Sequence, residues 1–389
     1  MVNNYQLRNL IYVIIGFFSM FINPIISLFI NLLLLYCAPL KLRKIIILFL
    51  AMSLGIISYY TVPLPSDDLF RHYEQMNLLQ NLKFNEIFEY GYSYVYLNTF
   101  IMYLISLTGK FGLYPMLYIT IGYFLLFYMI LDYAEMKDCS KRNIMLMVIL
   151  VFFEFVFRDY ISGLRNQFAF ILCAFGIYIG FFKMKKMCRN LLFLASIFIH
   201  TASLLIIFCF VGFKFLKNLC NLKDRQIYIL FFSTIPIMIC LMSIIKFLNI
   251  DNAFMNKIIM YFTIFGYNNT NVMIFKFLIY FLSFITLIIS NDESSKNDLK
   301  AFLVSYHCFT LGTILNMTLF YRMNYFIYCF NFIANFTVLE RIDISRKLKI
   351  VIYVVIIIIC LLSIALMYRS IIAYPWYFKT SPLKFLIFK

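Results

Sequence analysis

Apolar positions along this chain come in unbroken runs of membrane length, not in the one-sided stripes of soluble helices or the alternation of strands. A helix needs about 20 mostly apolar residues to cross a bilayer. Runs 10–36, 45–62, 114–131, 166–182, 226–248, 272–290, 301–320, 323–339 and 350–374 meet or approach that length. Three others are compromised. The run 91–107 carries Ser93, Asn98 and Thr99, 144–157 is short, and 190–213 has His200, Thr201 and Ser203 at its centre. The pattern predicts an all-α, polytopic membrane protein of about 10–12 hydrophobic helices, one or two of them broken or re-entrant. No period of repeat length is present, so the expectation is a single integral-membrane domain over 1–389.

The polar gaps set direction. Basic clusters lie at Lys41, Arg43 and Lys44, at Lys183, Lys185, Lys186 and Arg189, at Lys214, Lys217, Lys223 and Arg225, and at Arg341, Arg346, Lys347 and Lys349. The positive-inside bias places all four in the cytoplasm. Five apolar segments separate the first two clusters, so one must fail to cross, and 91–107 is the most polar. Between the second and third lies only 190–213, which stays on parity if it turns back near His200. Re-entrant backbone survives at membrane depth only where protein or a watery cavity satisfies it, so these breaks predict a cavity. The loop 63–90 then falls outside, with Asp67, Asp68, Glu74, Glu86 and Glu89 against Arg71 and Lys83. The segment 158–165, the His200 tip and both termini fall outside as well. The N-terminal run after Arg8 is too long for a signal peptide and lacks an Ala-x-Ala-like site, which predicts an uncleaved span.

Composition sharpens this. Hydrophobic residues make up 64% and charged residues 13% of the 389, with mean hydropathy +0.89. So few charges cannot cover a soluble surface. The 34 Lys and Arg against 17 Asp and Glu would suggest nucleic acid in a soluble chain. Cytoplasmic anchoring accounts for most of them here, and no nucleic-acid partner is expected. The 47 Phe and 30 Tyr are mainly lipid-facing and belt residues. Six of the ten Cys (Cys173, Cys209, Cys240, Cys308, Cys329, Cys360) lie in apolar runs without a CxxC pair. His72, His200 and His307 have no second ligand at helical spacing, so neither a disulfide framework nor a metal site is expected.

Three arginines escape the anchoring explanation. Arg158, Arg165 and Arg322 sit at or beside apolar segments on the predicted outer side. An arginine at membrane depth costs from about 3 to over 10 kcal/mol and marks function by default. Arg158 has Asp159 beside it as a local partner. Arg165, in Ser162-Gly163-Leu164-Arg165-Asn166-Gln167, opens a helix whose free N–H groups add to an anion site. Arg322 lies in Tyr321-Arg322-Met323-Asn324-Tyr325. His200 at a broken-helix tip, with Asp67 and Asp68 at a membrane end, supplies candidate proton acceptors, whereas His307 reads as structural. Arginines that neutralise a diphosphate leaving group, beside a His or carboxylate that takes a hydroxyl proton, describe glycosyl transfer from a polyprenyl diphosphate without a metal.

The order of these motifs resembles the EpsG family of Wzy-type polysaccharide polymerases. The resemblance runs from Asp67, Asp68 and Tyr73, through Glu89-Tyr90-Gly91-Tyr92 and Gly163-Leu164-Arg165-Asn166-Gln167-Phe168-Ala169, to the basic 183–189 turn. It continues through Leu194-Ala195-Ser196-Ile197-Phe198-Ile199-His200-Thr201-Ala202-Ser203 and ends at Tyr321-Arg322-Met323-Asn324-Tyr325. Tyr90 departs from the family, where Pro is common. The resemblance implies transfer of a growing chain from undecaprenyl diphosphate onto the next lipid-linked repeat unit at the outer face of a bacterial inner membrane. The product would be O-antigen, capsule or exopolysaccharide. It implies Arg165 as diphosphate binder, Arg322 as a second phosphate clamp, His200 and Asp68 (with Asp67) as acid–base or acceptor-orienting groups, and Arg158, Gln167, Tyr73 and Glu89 as further substrate contacts. No cofactor is implied; a chain-length regulator is an implied partner beside membrane lipids and the donor and acceptor oligosaccharides. Two alternatives stand: a flippase or transporter of lipid-linked saccharide, which predicts inverted repeats, and a membrane O-acyltransferase, which would need its His reachable by cytoplasmic acyl-CoA.

Overall fold

A computed structural model describes residues 4–63, 65, 67–90, 95–247, 270–290, 297–340, 350–351 and 353–363. The described residues are helices and connecting turns, with no strand among them. Two compact units form, Met1–Ser203 with Ile350–Lys389, and Leu204–Lys349. The fourth basic cluster lies outside the described residues, as do Gly91, Tyr92 and most of the segment 249–271, which the parity count places on the outer side.

The first unit begins with α1 (Asn4–Ile22), α2 (Pro24–Cys37) and α3 (Leu40–Tyr59). The run 10–36, expected as one span, is therefore two helices. Asn23 accepts hydrogen bonds from the Ile25 and Ile26 N–H groups at 2.8 and 3.2 Å, and Pro24 occupies the first helical position, so a helix starts there. Hydropathy misses this break because both arms are apolar. Asn31 Nδ2 donates to Gly16 O at 3.3 Å and Ser19 meets Ser27 at 2.9 Å, so the arms fold into a hairpin. The Ser53 hydroxyl joins this buried cluster through Ser27 at 2.9 Å, tying α3 to α2 by interhelical polar contacts. The hairpin returns Arg8 toward the end of the bundle that carries Lys41, whereas the parity count sent the N-terminus to the opposite side.

Next come α4 (Asp68–Leu79), α5 (Ile87–Tyr90), α6 (Tyr96–Ser106), α7 (Leu113–Met136), α8 (Lys141–Phe155), α9 (Phe157–Ser162), α10 (Leu164–Phe182) and α11 (Lys186–Ile199). Among the described residues α7 and α10 are long and apolar enough to cross a membrane, and they are the centre of this unit. α3 lies antiparallel to α7: an added Cβ on Gly112 would stand 2.4 Å from the Tyr59 carbonyl oxygen, while Lys44 reaches Glu135 at 3.7 Å at the other end. α10 runs parallel to α7, from Tyr118 against Phe168 to Asp132 against Tyr178 and Lys183. α11 returns antiparallel to α10, with Ser196 beside Cys173 and Arg189 beside Gly180.

This register sorts the unit's polar residues between two ends. Lys44 and Lys183, from the first two basic clusters, both pair with acids in the last turns of α7, Lys183–Asp132 at 2.8 Å. The first turns of α7 and α10, the α4 segment and the end of α11 share the opposite end. α6 has only 11 residues, about 17 Å of helix, which is half a bilayer. A last helix, α18 (Tyr353–Ser363), packs on α8 through Tyr353 to Asn143 at 3.0 Å and Ser363 to the Phe153 carbonyl at 2.8 Å.

The second unit holds α12 (Ser203–Asn218), α13 (Asp224–Phe247), α14 (Thr270–Ile289), α15 (Asn297–Gly312), a 3-10 turn at Thr313–Leu315, α16 (Met317–Tyr328) and α17 (Asn331–Glu340). The 301–320 run is interrupted by the 3-10 turn and by Asn316, whose side chain caps α16 through the Leu319 N–H at 3.0 Å. The 323–339 run is divided at Cys329–Phe330. Lys217 bonds Asp224 and Asp298 at 3.1 and 3.0 Å, so part of the third basic cluster is neutralised internally.

Candidate functional site

The non-anchoring end of the first unit gathers residues that are far apart in sequence. Asp67 precedes α4 and is buried; its carboxylate faces Arg158 on α9 at 3.6 Å. α4 is amphipathic, and its buried stripe is Leu69, His72, Met76 and Leu79. His72 therefore occupies a core position, 1% exposed, with its ring edge-on to Tyr114 of α7 at 5.6 Å. Tyr114 and Tyr118 both donate to the Asn98 carboxamide oxygen of α6, at 2.7 and 2.9 Å, which fixes the aromatic floor beneath the histidine.

Arg165 enters this cluster from the second position of α10. Gly163 precedes the helix without a side-chain cap bond, and a helix start favours negative charge. Gln167 is buried and donates from Nε2 to the Asp159 carbonyl at 2.8 Å, locking α9 onto α10; its Oε1 has no hydrogen-bond partner among the described residues. Residues 158–165 are thus a helical turn and a helix start. Val156, between α8 and α9, has φ of 47°, a conformation a β-branched residue seldom adopts, and it aims Arg158 from the start of α9.

His200 closes the group. α11 ends at Ile199, His200 is extended with φ −155° and ψ 121°, and α12 starts at Ser203, so the 190–213 run breaks at the histidine. The Ala202 N–H donates to His200 Nδ1 at 3.1 Å. With Nδ1 accepting, the neutral ring carries its proton on Nε2 and presents a donor. Burial pushes the His72 imidazole well below its ordinary pKa of 6.5, and the positive charges of Arg165 and Arg71, with His200, lower it further. These four side chains are therefore electrostatic neighbours, and His72 is neutral at physiological pH.

The other candidate residues are placed differently. Asp68 is half-exposed in an i,i+3 pair with Arg71. Tyr73 is half-buried beside Phe111, its hydroxyl has no hydrogen-bond partner among the described residues, and burial raises its pKa. Glu89 is exposed on α5. Arg322 is half-buried on α16 in the second unit. His307 is buried there between Tyr280 and Phe284. Among the described residues no three His, Cys, Asp or Glu side chains group as metal ligands.

Two residues were not singled out from the sequence. His72 enters the sequence analysis only as an isolated histidine, yet its spacing with Leu69, Met76 and Leu79 puts it on the apolar stripe of α4. Lys276, inside the 272–290 run, is fully buried in α14.

An all-helical chain with long apolar helices, anchoring cations at one end of its first unit and an arginine–histidine cluster at the other, is a membrane protein built around a polar site. Residues 44–383 match the EpsG family model, and the chain belongs to the EpsG family. The family is associated with Wzy-type polymerases, which makes this a polysaccharide-polymerase-like membrane protein. No curated protein and no solved structure matches the chain.

Proposed function

We infer that the protein polymerises oligosaccharide repeat units carried on undecaprenyl diphosphate, at the outer face of the bacterial inner membrane. The observation that carries this reading is the convergence of Arg158, Arg165, His72, His200 and Asp67 at the end of the first unit opposite the Lys44 and Lys183 anchors. Anchors in the cytoplasm put that cluster at the external face.

In this reading Arg165 and the first turn of α10 hold the donor diphosphate, and the His200 Nε2–H donates to it or to the glycan. Asp67 positions Arg158. The acceptor hydroxyl oxygen bonds to the donor's anomeric carbon as the bond from that carbon to the diphosphate oxygen breaks. The bonding pair leaves with undecaprenyl diphosphate, whose charge the arginines offset. The hydroxyl proton passes to a carboxylate at the start of α4, for which Asp67 and Asp68 are the candidates. A bound diphosphate offsets the Arg165 charge, which is second to burial among the causes that depress the His72 pKa, so His72 stays neutral beside the site. No step needs a metal or a cofactor. Arg322, half-buried on α16, is kept as a phosphate-binding candidate of the second unit alone.

The test is in vitro polymerisation with defined lipid-diphosphate repeat units. Arg165→Ala is expected to stop at single or very short products, because an arginine–phosphate contact made at a dry site carries several kcal/mol, about a hundredfold or more in rate. Undiminished long chains from that variant would remove Arg165 from the mechanism. A flippase would instead leave purified units unjoined in the wild type as well.

A further inference from the structure

The second unit contains a cavity that the polymerisation reading leaves unused. It lies between α14, α15 and α17, with Ser283, His307 and Asn331 as polar lining and Leu287, Leu303 and Phe330 in its apolar wall. The three polar residues are exposed by only 7%, 3% and 5%. The His307 ring is clamped between Phe284, stacked at 5.1 Å, and Tyr280 at 5.3 Å, whose hydroxyl donates to the His307 carbonyl at 2.8 Å. Its Nδ1 has no hydrogen-bond partner among the described residues. The Ser283 hydroxyl donates to Asn331 Oδ1, which leaves the serine oxygen able to accept.

An imidazole nitrogen left unmet at this burial costs about 1–3 kcal/mol. Phenylalanine would fill the space between Tyr280 and Phe284 without that cost, so packing does not account for a histidine here. The cavity has room for about one water molecule, and a void of that size takes up water when polar groups converge on it. Water donates to the Ser283 oxygen and meets the imidazole nitrogen as donor or acceptor, so both histidine tautomers are satisfied. The place in the fold agrees. Phe330 and Asn331 lie at the break between α16 and α17, inside the apolar 323–339 run. Interrupted helix at membrane depth persists where protein or a watery cavity meets its polar groups.

We propose that this cavity is a binding site for a buried water molecule, held by His307 and Ser283 with Asn331 behind the serine. His307 is then a ligand of that water, which explains a histidine in the apolar interior of the unit. The proposal goes beyond the polymerase reading and does not depend on it.

The test is water-edited solid-state NMR of the full chain in phosphatidylcholine proteoliposomes, with histidine labelled by 15N in ring and backbone. The sequence holds three histidines, and the His307 signals are those lost in His307→Phe. Magnetisation starting on water should reach His307 Nδ1 faster than the His307 backbone nitrogen, which lies within α15. Ser283→Val removes the acceptor and fills the space, so it should abolish that difference, with an unchanged melting temperature confirming the fold. Equal build-up on ring and backbone in the wild type overturns the proposal, because it describes a dry cavity reached through the protein alone. Faster transfer from lipid acyl protons than from water overturns it too, since it puts a chain end in the cavity. So does an undiminished difference in Ser283→Val. Asn331→Leu carries the test if Ser283→Val does not fold. No readout involves polymerisation, so failure here is distinct from failure of the polymerase reading.

Discussion

Replacing His72 with Gln should change how stability responds to pH. The folded imidazole is held well below 6.5 by burial first, then by Arg165, Arg71 and His200, whereas in the unfolded chain it titrates near 6.5. Below 6.5 the unfolded state therefore binds a proton that the folded state refuses, and stability falls as pH falls; above 6.5 neither state binds it and the full stability is present. One such group contributes up to about 1.4 kcal/mol of lost stability between pH 7.5 and 5.5, the limit reached when the folded imidazole stays neutral throughout. For a cooperative unit of this size that is roughly 3–6 °C in melting temperature. The assay is thermal unfolding of the detergent-solubilised full chain at pH 5.5 and 7.5, wild type against His72→Gln. The comparison concerns the pH slope alone, so packing lost in the variant cancels. The wild type should lose more on acidification. Identical slopes would refute the placement of His72 as a buried neutral group, and inorganic pyrophosphate, by offsetting Arg165, should shrink the wild-type slope.

Other expectations follow from the same contacts. Asp132→Asn breaks the Lys183 ion pair at 2.8 Å and weakens the Tyr178 bond at 2.7 Å, and chemical or thermal denaturation should show a loss of about 1–3 kcal/mol. Gly122→Ala places a Cβ 1.9 Å from the hydroxyl of fully buried Tyr160, so stability should drop by about 1–3 kcal/mol, and Tyr160→Phe in the same chain should recover part of it. His200→Ala removes the ring that accepts the Ala202 N–H, and polymer length in the reconstituted assay should shorten while the protein stays folded. Reporters fused after Lys186 and Lys223 should both read cytoplasmic; an external Lys223 reporter would mean that the 190–213 run crosses fully.

The chain's hydropathy determined by itself that this is a helical membrane protein, and its loop charges singled out Arg158 and Arg165 as cations without an anchoring role. Both are local properties: transfer of an apolar segment out of water and retention of cations on one side depend on composition over about 20 residues. The family was legible for a similar reason, because its motifs are short and ordered. The break at His200 was legible too, since polar residues interrupt an apolar run there. The breaks at Asn23 and Cys329 were not, because apolar segments flank them on both sides and hydropathy does not change across a tight turn.

What only the tertiary structure decided is which polar groups meet. The antiparallel pairing of α3 with α7, the parallel pairing of α7 with α10 and the return of α11 bring positions 67, 72, 158, 165 and 200 to one end. That register depends on close approaches at Gly112 and Gly122 and on ion pairs at Glu135 and Asp132. The same contacts turned His72 from a loop residue into a buried neutral imidazole. Packing of α16 on α14 likewise sets the Lys276 ammonium against the rings of Tyr321, Tyr325 and Tyr328. Desolvation and electrostatic coupling fall off within a few ångströms, so they follow from neighbours in space rather than from neighbours in the chain.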